Sequence, residues 1–447
     1  MWSYLPELAA ETAPRYTSYP TAVEFNPAVA SEQQREALLA LPADGTLGLY
    51  LHIPYCEQLC WYCGCNTGRS GNDDRVERYA AGLFDEIDTV SGLARGKVTA
   101  IHFGGGSPNA LSAATLARLM SRLRDRFDIA SDAEIALELD PRTLRQDFIK
   151  AMAQNGVTRV SLGVQTLAGH VQQRIGRIQP FEMVAGQVAA LRSAGIARIN
   201  FDLMYGLPRQ MAADITETID LALTLSPDRV AMFGYAHLPQ QLPRQRVIRE
   251  PELPGQAERF AQARLAHGRF TEAGYVAVGF DHFARADDPL AIAAASGTLR
   301  RNFQGFTADA ADALIGLGAS AISDLPGLIV QNEKNAGRYR MRVSAGRLAG
   351  ERGVARTAED VLRGAVIERL LCECACDVAA VCRAHGRPEG YLDEEIAALA
   401  PLVSAGVCWV TGRNVHVRAE GAPYARLVAR AFDAYRAALA TRFSRAV

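Results

Sequence analysis

From residue 48 onward the chain alternates short aliphatic and β-branched runs with longer stretches in which apolar side chains recur every three to four positions. The short runs, at 48–53, 100–103, 134–139, 159–163, 199–203 and 229–233, predict strands. The longer stretches, at 76–93, 111–127, 144–154, 182–194, 212–225 and 257–273, predict amphipathic helices. Gly195 and Gly274 sit where helix C-caps belong. Strand–helix alternation at even intervals implies right-handed βαβ units around a parallel sheet. Six such units predict an α/β fold, a partial (β/α)6 barrel with functional residues at the C-terminal ends of its strands. A doubly wound sheet is the alternative.

The pattern is weaker at both ends. Residues 1–45 show little periodicity, and Pro14-Arg-Tyr-Thr-Ser-Tyr-Pro20 is too polar and too proline-bounded for a helix. Near residue 355 the alternation stops. Helices are expected at 359–371, 393–405 and 424–442, with a hairpin at 407–417 turning at Gly412-Arg-Asn414. The reading is thus an N-terminal arm at 1–45, a catalytic (β/α) unit at 46–355 and a small α+β, winged-helix-like cap at 356–447. A length of 447 residues agrees with more than one domain. A formal net charge of −1 gives no reason to expect nucleic-acid binding, and the cap lacks a basic stripe. No apolar run reaches the ~20 residues of a membrane span. The N-terminal residues lack the basic and apolar segments of a secretory signal, so a cytoplasmic location is expected.

Cysteine changes the picture most. Cys56-Glu-Gln-Leu-Cys60-Trp-Tyr-Cys63 sets three thiols at unequal spacing just after the first predicted strand. In a four-iron cube each iron takes one protein sulfur, so three thiols leave one iron open to a small chelating ligand. Zinc sites use two separated pairs, and no second pair of that form follows. Cys65 falls just beyond the three and is expected near the cofactor without ligating it. Cys372-Glu-Cys-Ala-Cys376 is expected on a helix, where the spacing scatters the thiols around the axis and favours packing.

Two further features lie at strand ends. Phe103-Gly-Gly-Gly-Ser-Pro108 joins a strand to a helix, and its glycines let backbone approach a ligand. Glu138 and Asp140 end the third run. Asp140-Pro141 suits a helix cap, which leaves Glu138 as the ligand-binding acid. Gln165, just after the fourth run, and Asp202, within the end of the fifth, sit at the equivalent level, where a structural hydrogen bond is an equal reading.

The stretch Gly48-Leu-Tyr-Leu-His-Ile-Pro-Tyr-Cys56 with its C-x3-C-x2-C spacing resembles the cluster loop of radical S-adenosylmethionine (SAM) enzymes. Further motifs resemble one family within them, the oxygen-independent coproporphyrinogen III oxidases. These are Pro14-Arg-Tyr-Thr-Ser-Tyr-Pro-Thr-Ala22, Cys63-Gly-Cys-Asn66, Asp202-Leu-Met-Tyr-Gly-Leu-Pro208, Tyr235-Ala-His-Leu-Pro239, Asp281-His-Phe-Ala-Arg285, Arg301-Asn-Phe-Gln-Gly305 and the terminal Arg442-Phe-Ser-Arg-Ala-Val447. Ser107 departs from the family's usual Thr but keeps the hydroxyl. The resemblance implies a [4Fe-4S] cluster on Cys56, Cys60 and Cys63, and two SAM molecules. The first would meet Tyr50, Gly105, Glu138 and Ile322. The second would meet Tyr62, Gly106, Ser107, Gln165, Arg177, Asp202 and Ala236.

The implied reaction converts two propionates of coproporphyrinogen III to vinyl groups through a 5′-deoxyadenosyl radical. A tetracarboxylate substrate calls for guanidinium partners, for which Arg15, Arg285 and Arg301 are candidates. The arm is expected to cross the open top of the barrel and help enclose the tetrapyrrole. The implied partners are a flavodoxin- or ferredoxin-like electron donor and the substrate, with the protein a monomer. The competing readings are a haem-binding chaperone on the same barrel and a radical SAM methyltransferase acting on a tetrapyrrole.

Overall fold

The computed structural model describes residues 2–71 and 73–436. Six strands run parallel in chain order: β1 (Thr46–Ile53), β2 (Lys97–Gly105), β3 (Asp128–Leu139), β4 (Arg159–Gln165), β5 (Arg198–Tyr205) and β6 (Arg229–Gly234). The connecting helices are α1 (Asp73–Ser91), α2 (Ala113–Arg126), α3 (Gln146–Gln154), α4 (Phe181–Ser193) and α5 (Ala212–Thr224), with α6 (Gln256–Glu272) after β6. Each lies within two or three residues of the expected range. Gly195 and Gly274 follow α4 and α6 at φ 90° and 86°, the left-handed conformation of a helix stop.

The sheet continues past the six strands. Beyond β6 come β8 (His282–Ala284) and β7 (Val276–Val278), both antiparallel. On the other side β9 (Ala313–Leu317) pairs parallel with β1. It is followed by β10 (Ile322–Leu325), β11 (Leu328–Asn332) and β12 (Gly350–Ala355), all antiparallel. Among the described residues this is one twelve-stranded sheet whose ends do not pair with each other, hence an open barrel. The late strands escape the sequence pattern because they are short and, apart from β9, pair antiparallel rather than in βαβ units.

Period two along each strand explains what lies where. Leu47, Leu49, Leu51 and Ile53 of β1 are buried in the main core with Leu119, Leu123 and Leu83 of the helix layer. The alternate positions Tyr50 and His52 face the other way. The same alternation turns His102, Glu138, Ser161 and Asp202 toward the barrel interior, while Phe103, Leu137, Leu162 and Phe201 join the core. The N-terminal end of the barrel is plugged. Arg159, only 2% exposed, donates to Glu134, Asn200 and Asp288 at 3.0, 2.9 and 3.1 Å, and Arg229 donates to the same Asp288 at 2.6 Å. A buried guanidinium is tolerable only with such partners. Access is left at the C-terminal ends of the strands.

A second core joins the two ends of the chain. Trp2, Ala9, Ala13, Tyr16 and Tyr19 pack with residues from Leu362 to Phe432. The C-terminal part contains a helix at Ala358–Cys372 and a three-stranded antiparallel sheet, β13 (Ala375–Asp377), β15 (Asn414–Val417) and β14 (Cys408–Thr411). The hairpin turns at Gly412-Arg413, one residue shorter than expected.

Other expectations need correction. The segment 1–45 is not featureless, since Pro6–Ala10 and Ser31–Leu39 are helical. The helix expected at 393–405 breaks into Asp393–Ala397 and Ala400–Ser404, because Pro401 has no N–H to continue the ladder. The last helix is a 3₁₀ turn, Ala419–Tyr424, running into Ala425–Arg430, and its expected end at 442 lies outside the described residues. So does the terminal motif at 442–447. The C-terminal cysteines do not share a helix. Cys372 ends one, Cys374 turns at φ 55° and Cys376 is the middle residue of β13. Burial pushes the Cys372 and Cys376 thiols up to about 12. Among the described residues no helix is long and apolar enough to cross a membrane.

Candidate active site

The loop after β1 carries the three thiols over the open end of the barrel. It is pinned at several points. Tyr55–Cys56 pairs with Gly68–Arg69, the Trp61 N–H donates to Ile175 O at 3.0 Å, and Gln245 Nε2 donates to Tyr62 O at 2.8 Å. Cys56, Cys60 and Cys63 all line one cavity of about 640 Å³ at the C-terminal ends of β2 to β6.

Each sulfur has its own polar company. Cys56 Sγ lies 3.3 Å from Thr67 Oγ1 and 3.7 Å from Ser107 Oγ. Cys60 Sγ receives two guanidinium N–H groups, from Arg142 and Arg177, each at 3.2 Å. Cys63 Sγ accepts the Cys65 N–H at 3.4 Å. Hydrogen bonds from the thiol and the N–H of Cys65 hold the Cys63 thiol down to about 6 despite burial, within the range of ligand thiolates. Among the described residues no group of three or more His, Cys, Asp or Glu converges as on a single metal ion. That does not count against a cube, whose three protein sulfurs each bind a different iron. Three thiols on the wall of one cavity, with charged and hydroxyl donors at the sulfurs, fit such a cluster.

Asp140 organises the arginines. Its carboxylate takes Arg142 Nη2 at 2.6 Å and Arg177 Nη2 at 3.3 Å, and its Oδ1 also takes the Arg142 N–H at 3.0 Å. Burial opposes its charge, but these guanidiniums hold its carboxyl below the usual range. The cap reading of Asp140 is correct as far as it goes. The residue also aims two cations at Cys60, and Arg142 has no counterpart among the sequence candidates. An Arg two residues past a strand-end acid was the available signal.

The glycine run is required residue by residue. A Cβ on Gly104 would come within 2.8 Å of the Glu138 carboxylate. One on Gly105, at φ 101°, would strike the His52 ring at 2.3 Å. One on Gly106 would meet Tyr55 O at 2.5 Å. Glu138 accepts His102 Nε2 at 3.0 Å and the Gly105 N–H at 3.2 Å. Burial alone would raise its carboxyl, but the His102 hydrogen bond and charge, with the Gly105 N–H, hold it below the usual range. Asp202 goes the other way, pushed up to about 6 by burial and by the Glu138 charge, with Ser161 Oγ donating to it at 3.1 Å.

Most of the predicted residues meet here. Gly105, Gly106, Ser107 and Glu138 line the cavity with the thiols, as do Tyr62, Gln165, Arg177, Asp202 and Ala236. Gln165 reaches it from a bulge at φ 64°, where Gly163 leaves room for its side chain and that of Arg177. Arg15 joins from the arm, with Pro14, Tyr16, Thr17 and Thr21 to Val23. Tyr50 and Ile322 stand outside the wall. The Tyr50 ring stacks on His102 beneath Glu138, with its hydroxyl 3.1 Å from His52 Nδ1. Ile322 backs Gly316, the β9 neighbour of Tyr50.

Two arginines are corrected. Arg285 sits at the plugged end of the barrel, where its N–H bonds Asp228 O just before β6 and its exposed side chain pairs with Asp287 at 3.4 Å. It cannot reach the cavity. Arg301 is a layer behind the wall, over the Phe280 and Phe306 rings, with Nε and Nη2 donating to Arg15 O at 3.2 and 3.1 Å. It positions Arg15 rather than facing ligand.

A profile of the radical SAM superfamily matches residues 50–222, which run from β1 into α5. Beyond that span, the chain is 46% identical over 428 residues to an oxygen-independent coproporphyrinogen III oxidase of Bradyrhizobium diazoefficiens, covering 95% of both chains. The chain belongs to the oxygen-independent coproporphyrinogen III oxidases. The Escherichia coli member is 36% identical over 426 residues, covering 95% of this chain and 93% of that one. The solved structure of coproporphyrinogen III oxidase from Escherichia coli, a radical SAM enzyme, superposes with a TM-score of 0.90 at 36% identity over 94% of this chain and 97% of that one. As in that superfamily, the cofactors of this chain are a [4Fe-4S] cluster and SAM.

Glu138→Ala is expected to weaken SAM binding by about 1.5–3 kcal/mol, the worth of a charged hydrogen bond. Equilibrium dialysis against labelled SAM measures it. An unchanged dissociation constant with a lowered melting temperature would make Glu138 merely the brace of the Gly105 loop.

Proposed function

We propose that this protein converts coproporphyrinogen III to protoporphyrinogen IX without oxygen. Each of two propionates gives up a β-hydrogen, carbon dioxide and one electron, leaving a vinyl group. The observation that carries this reading is the end-to-end similarity to relatives so named, 46% identical in the first case, together with the thiol-lined cavity. The same similarity disfavours a haem chaperone and a tetrapyrrole methyltransferase.

Cys56, Cys60 and Cys63 would hold the cluster and leave one iron open. Cluster and SAM together supply a one-electron reductive cleavage that yields a hydrogen-abstracting carbon radical. Glu138 and Gly105 would hold the first SAM, with Tyr50 and Ile322 beneath them. A second SAM would lie against Tyr62, Gly106, Ser107, Gln165, Arg177, Asp202 and Ala236. Arg142 and Arg177 steady Cys60 and spread positive charge toward its sulfur, one of the levers on a cluster's potential. The arm residues around Thr17 close the cavity against water. The protein works as a cytoplasmic monomer, away from nucleic acid and membrane. It takes electrons from a flavodoxin- or ferredoxin-like donor.

Anaerobic incubation of the reconstituted protein with coproporphyrinogen III, SAM and dithionite tests the reading by product mass. The expected product has lost two carboxyl groups. A product heavier by a methyl group would establish the methyltransferase instead, and tight haem retention without decarboxylation the chaperone.

A further inference from the structure

A second cavity, of about 560 Å³, adjoins the first. The two share Arg15 and the end of β6 through Phe233, Gly234 and Tyr235. Its remaining walls come from the start of α6, the Phe280–Phe283 segment and the C-terminal part, so barrel, arm and cap all contribute. Of its lining, only Ala236 on the shared wall is among the residues assigned above to a cofactor.

Its charge pattern is distinctive. Arg15, Arg259 and Arg426 line it. Arg426 is nearly buried and is pushed down to about 10 by burial and by the charge of Arg15, with Arg301 adding to the repulsion. Asp281 also lines the cavity; its carboxylate accepts His282 Nδ1 at 2.7 Å, and its charge offsets part of that of Arg15, Arg301 and Arg426. Glu250 is exposed at the rim. Arg426 is buried while Arg259 is half-buried and Arg15 exposed, so positive charge runs from the floor of the cavity to its mouth, and an entering anion meets a guanidinium at each level. The framework also makes room for one of them. Gly206 stands at φ 78°, and a Cβ there would come within 2.5 Å of Arg259 Nη1. The glycine of the Tyr205-Gly-Leu-Pro208 motif thus clears the position of Arg259, which lies over the Tyr205 ring at 5.9 Å.

The reaction proposed above leaves a charge problem that this cavity answers. The substrate carries four carboxylates, while a propionate at the radical site is handled one at a time. The others need partners that hold the ring without reacting. We infer that the second cavity is a carboxylate pocket, in which Arg15, Arg259 and Arg426 bind propionates of the tetrapyrrole that are not under attack. This rests on the proposed function. Guanidinium pairs carboxylate in a bidentate fork, which fixes orientation as well as affinity. Arg15, facing both cavities, sits where a ring bridging them would pass, and Arg301 sets Arg15 through its carbonyl.

Equilibrium dialysis of coproporphyrinogen III against the cluster-loaded protein with SAM, anaerobically and without reductant, tests the inference. Bound ligand is read after oxidation to the fluorescent porphyrin. Arg259→Gln and Arg426→Gln are each expected to weaken tetrapyrrole binding about tenfold or more, with Arg259→Lys recovering part of the loss and SAM binding unchanged. The tetramethyl ester should bind the wild type no better than it binds the variants. Arg426 also donates to Ala13 O at 3.2 Å, so its loss could loosen the arm. Arg259 lies over the Tyr205 ring, and an unchanged melting temperature of its variant separates a lost carboxylate contact from lost packing. If Arg259→Gln binds coproporphyrinogen III as the wild type does, the inference is overturned and the proposed function stands. If the wild type itself does not bind the tetrapyrrole, both fall.

Discussion

Replacing any one of Cys56, Cys60 or Cys63 by Ser is expected to abolish SAM cleavage and to strip most of the iron that anaerobic reconstitution otherwise loads, about four per chain. The reason is stoichiometric. Each thiolate would hold a different iron, so no neighbour could substitute for a missing one. Cys65 is nearest in sequence, yet it is tied to Cys63 by its N–H and its thiol is pushed well up by the contact with the Cys63 thiol. It is poorly prepared to replace a lost ligand. Cys60→Ser should be the most severe, because two guanidiniums would face a hydroxyl where they now face sulfur. Cys374→Ser, far along the chain in the turn after the Ala358–Cys372 helix, should retain full iron. Iron assay and the electron paramagnetic resonance signal of the reduced protein decide the matter. Full iron in Cys60→Ser, or lost iron in Cys374→Ser, would move the cluster elsewhere.

How far the sequence could be read follows from how local each cause is. The six parallel strands and their helices are legible because each buries one face in one core, which imposes period two or period 3.6 on its own residues. The thiols and the glycine run are legible for a similar reason, since the spacing itself carries the chemistry. The Asp140–Arg142–Arg177 arrangement was only half legible. Arg142 is adjacent to Asp140, but Arg177 comes from the far side of β4, and nothing local says that both reach Cys60. Arg285 was misplaced for the opposite reason. It belongs to a motif, Asp281-His-Phe-Ala-Arg285, whose strand β8 runs antiparallel to β6. Its first residue therefore lies at the open end of the barrel and its last at the plugged end. The antiparallel strands between 322 and 355 are hard to read because they are short, and the one helix among them, Ala336–Val343, sets no regular strand–helix rhythm.

Deleting residues 1–30 is expected to stop formation of protoporphyrinogen IX while leaving iron loading and uncoupled SAM cleavage largely in place. The thiols, the glycine run and Glu138 all lie on barrel elements, whereas the arm supplies Pro14 to Thr17 and Thr21 to Val23 of the cavity wall. Without them a bound tetrapyrrole would be open to water. The structure adds a second consequence, because the arm is also part of the C-terminal core. Trp2, Tyr16 and Tyr19 are each less than 10% exposed there. Tyr16 Oη donates to Asp433 at 2.9 Å, and the Ala434 N–H donates to Tyr19 Oη at 2.8 Å. Removing three such side chains should cost on the order of 5 kcal/mol, given about 1.5–3 for each buried large apolar residue. Urea unfolding followed by fluorescence should show an early transition from the C-terminal part. Unchanged stability would mean that the arm only rests on that core, and full-rate product from the truncated protein would remove it from catalysis. Arg15→Gln separates the two effects, since Arg15 lines both cavities but is not among the side chains buried in that core. That variant should unfold like the wild type and still lose affinity for the tetrapyrrole. The arm would then bind substrate through one residue and hold the protein together through its neighbours.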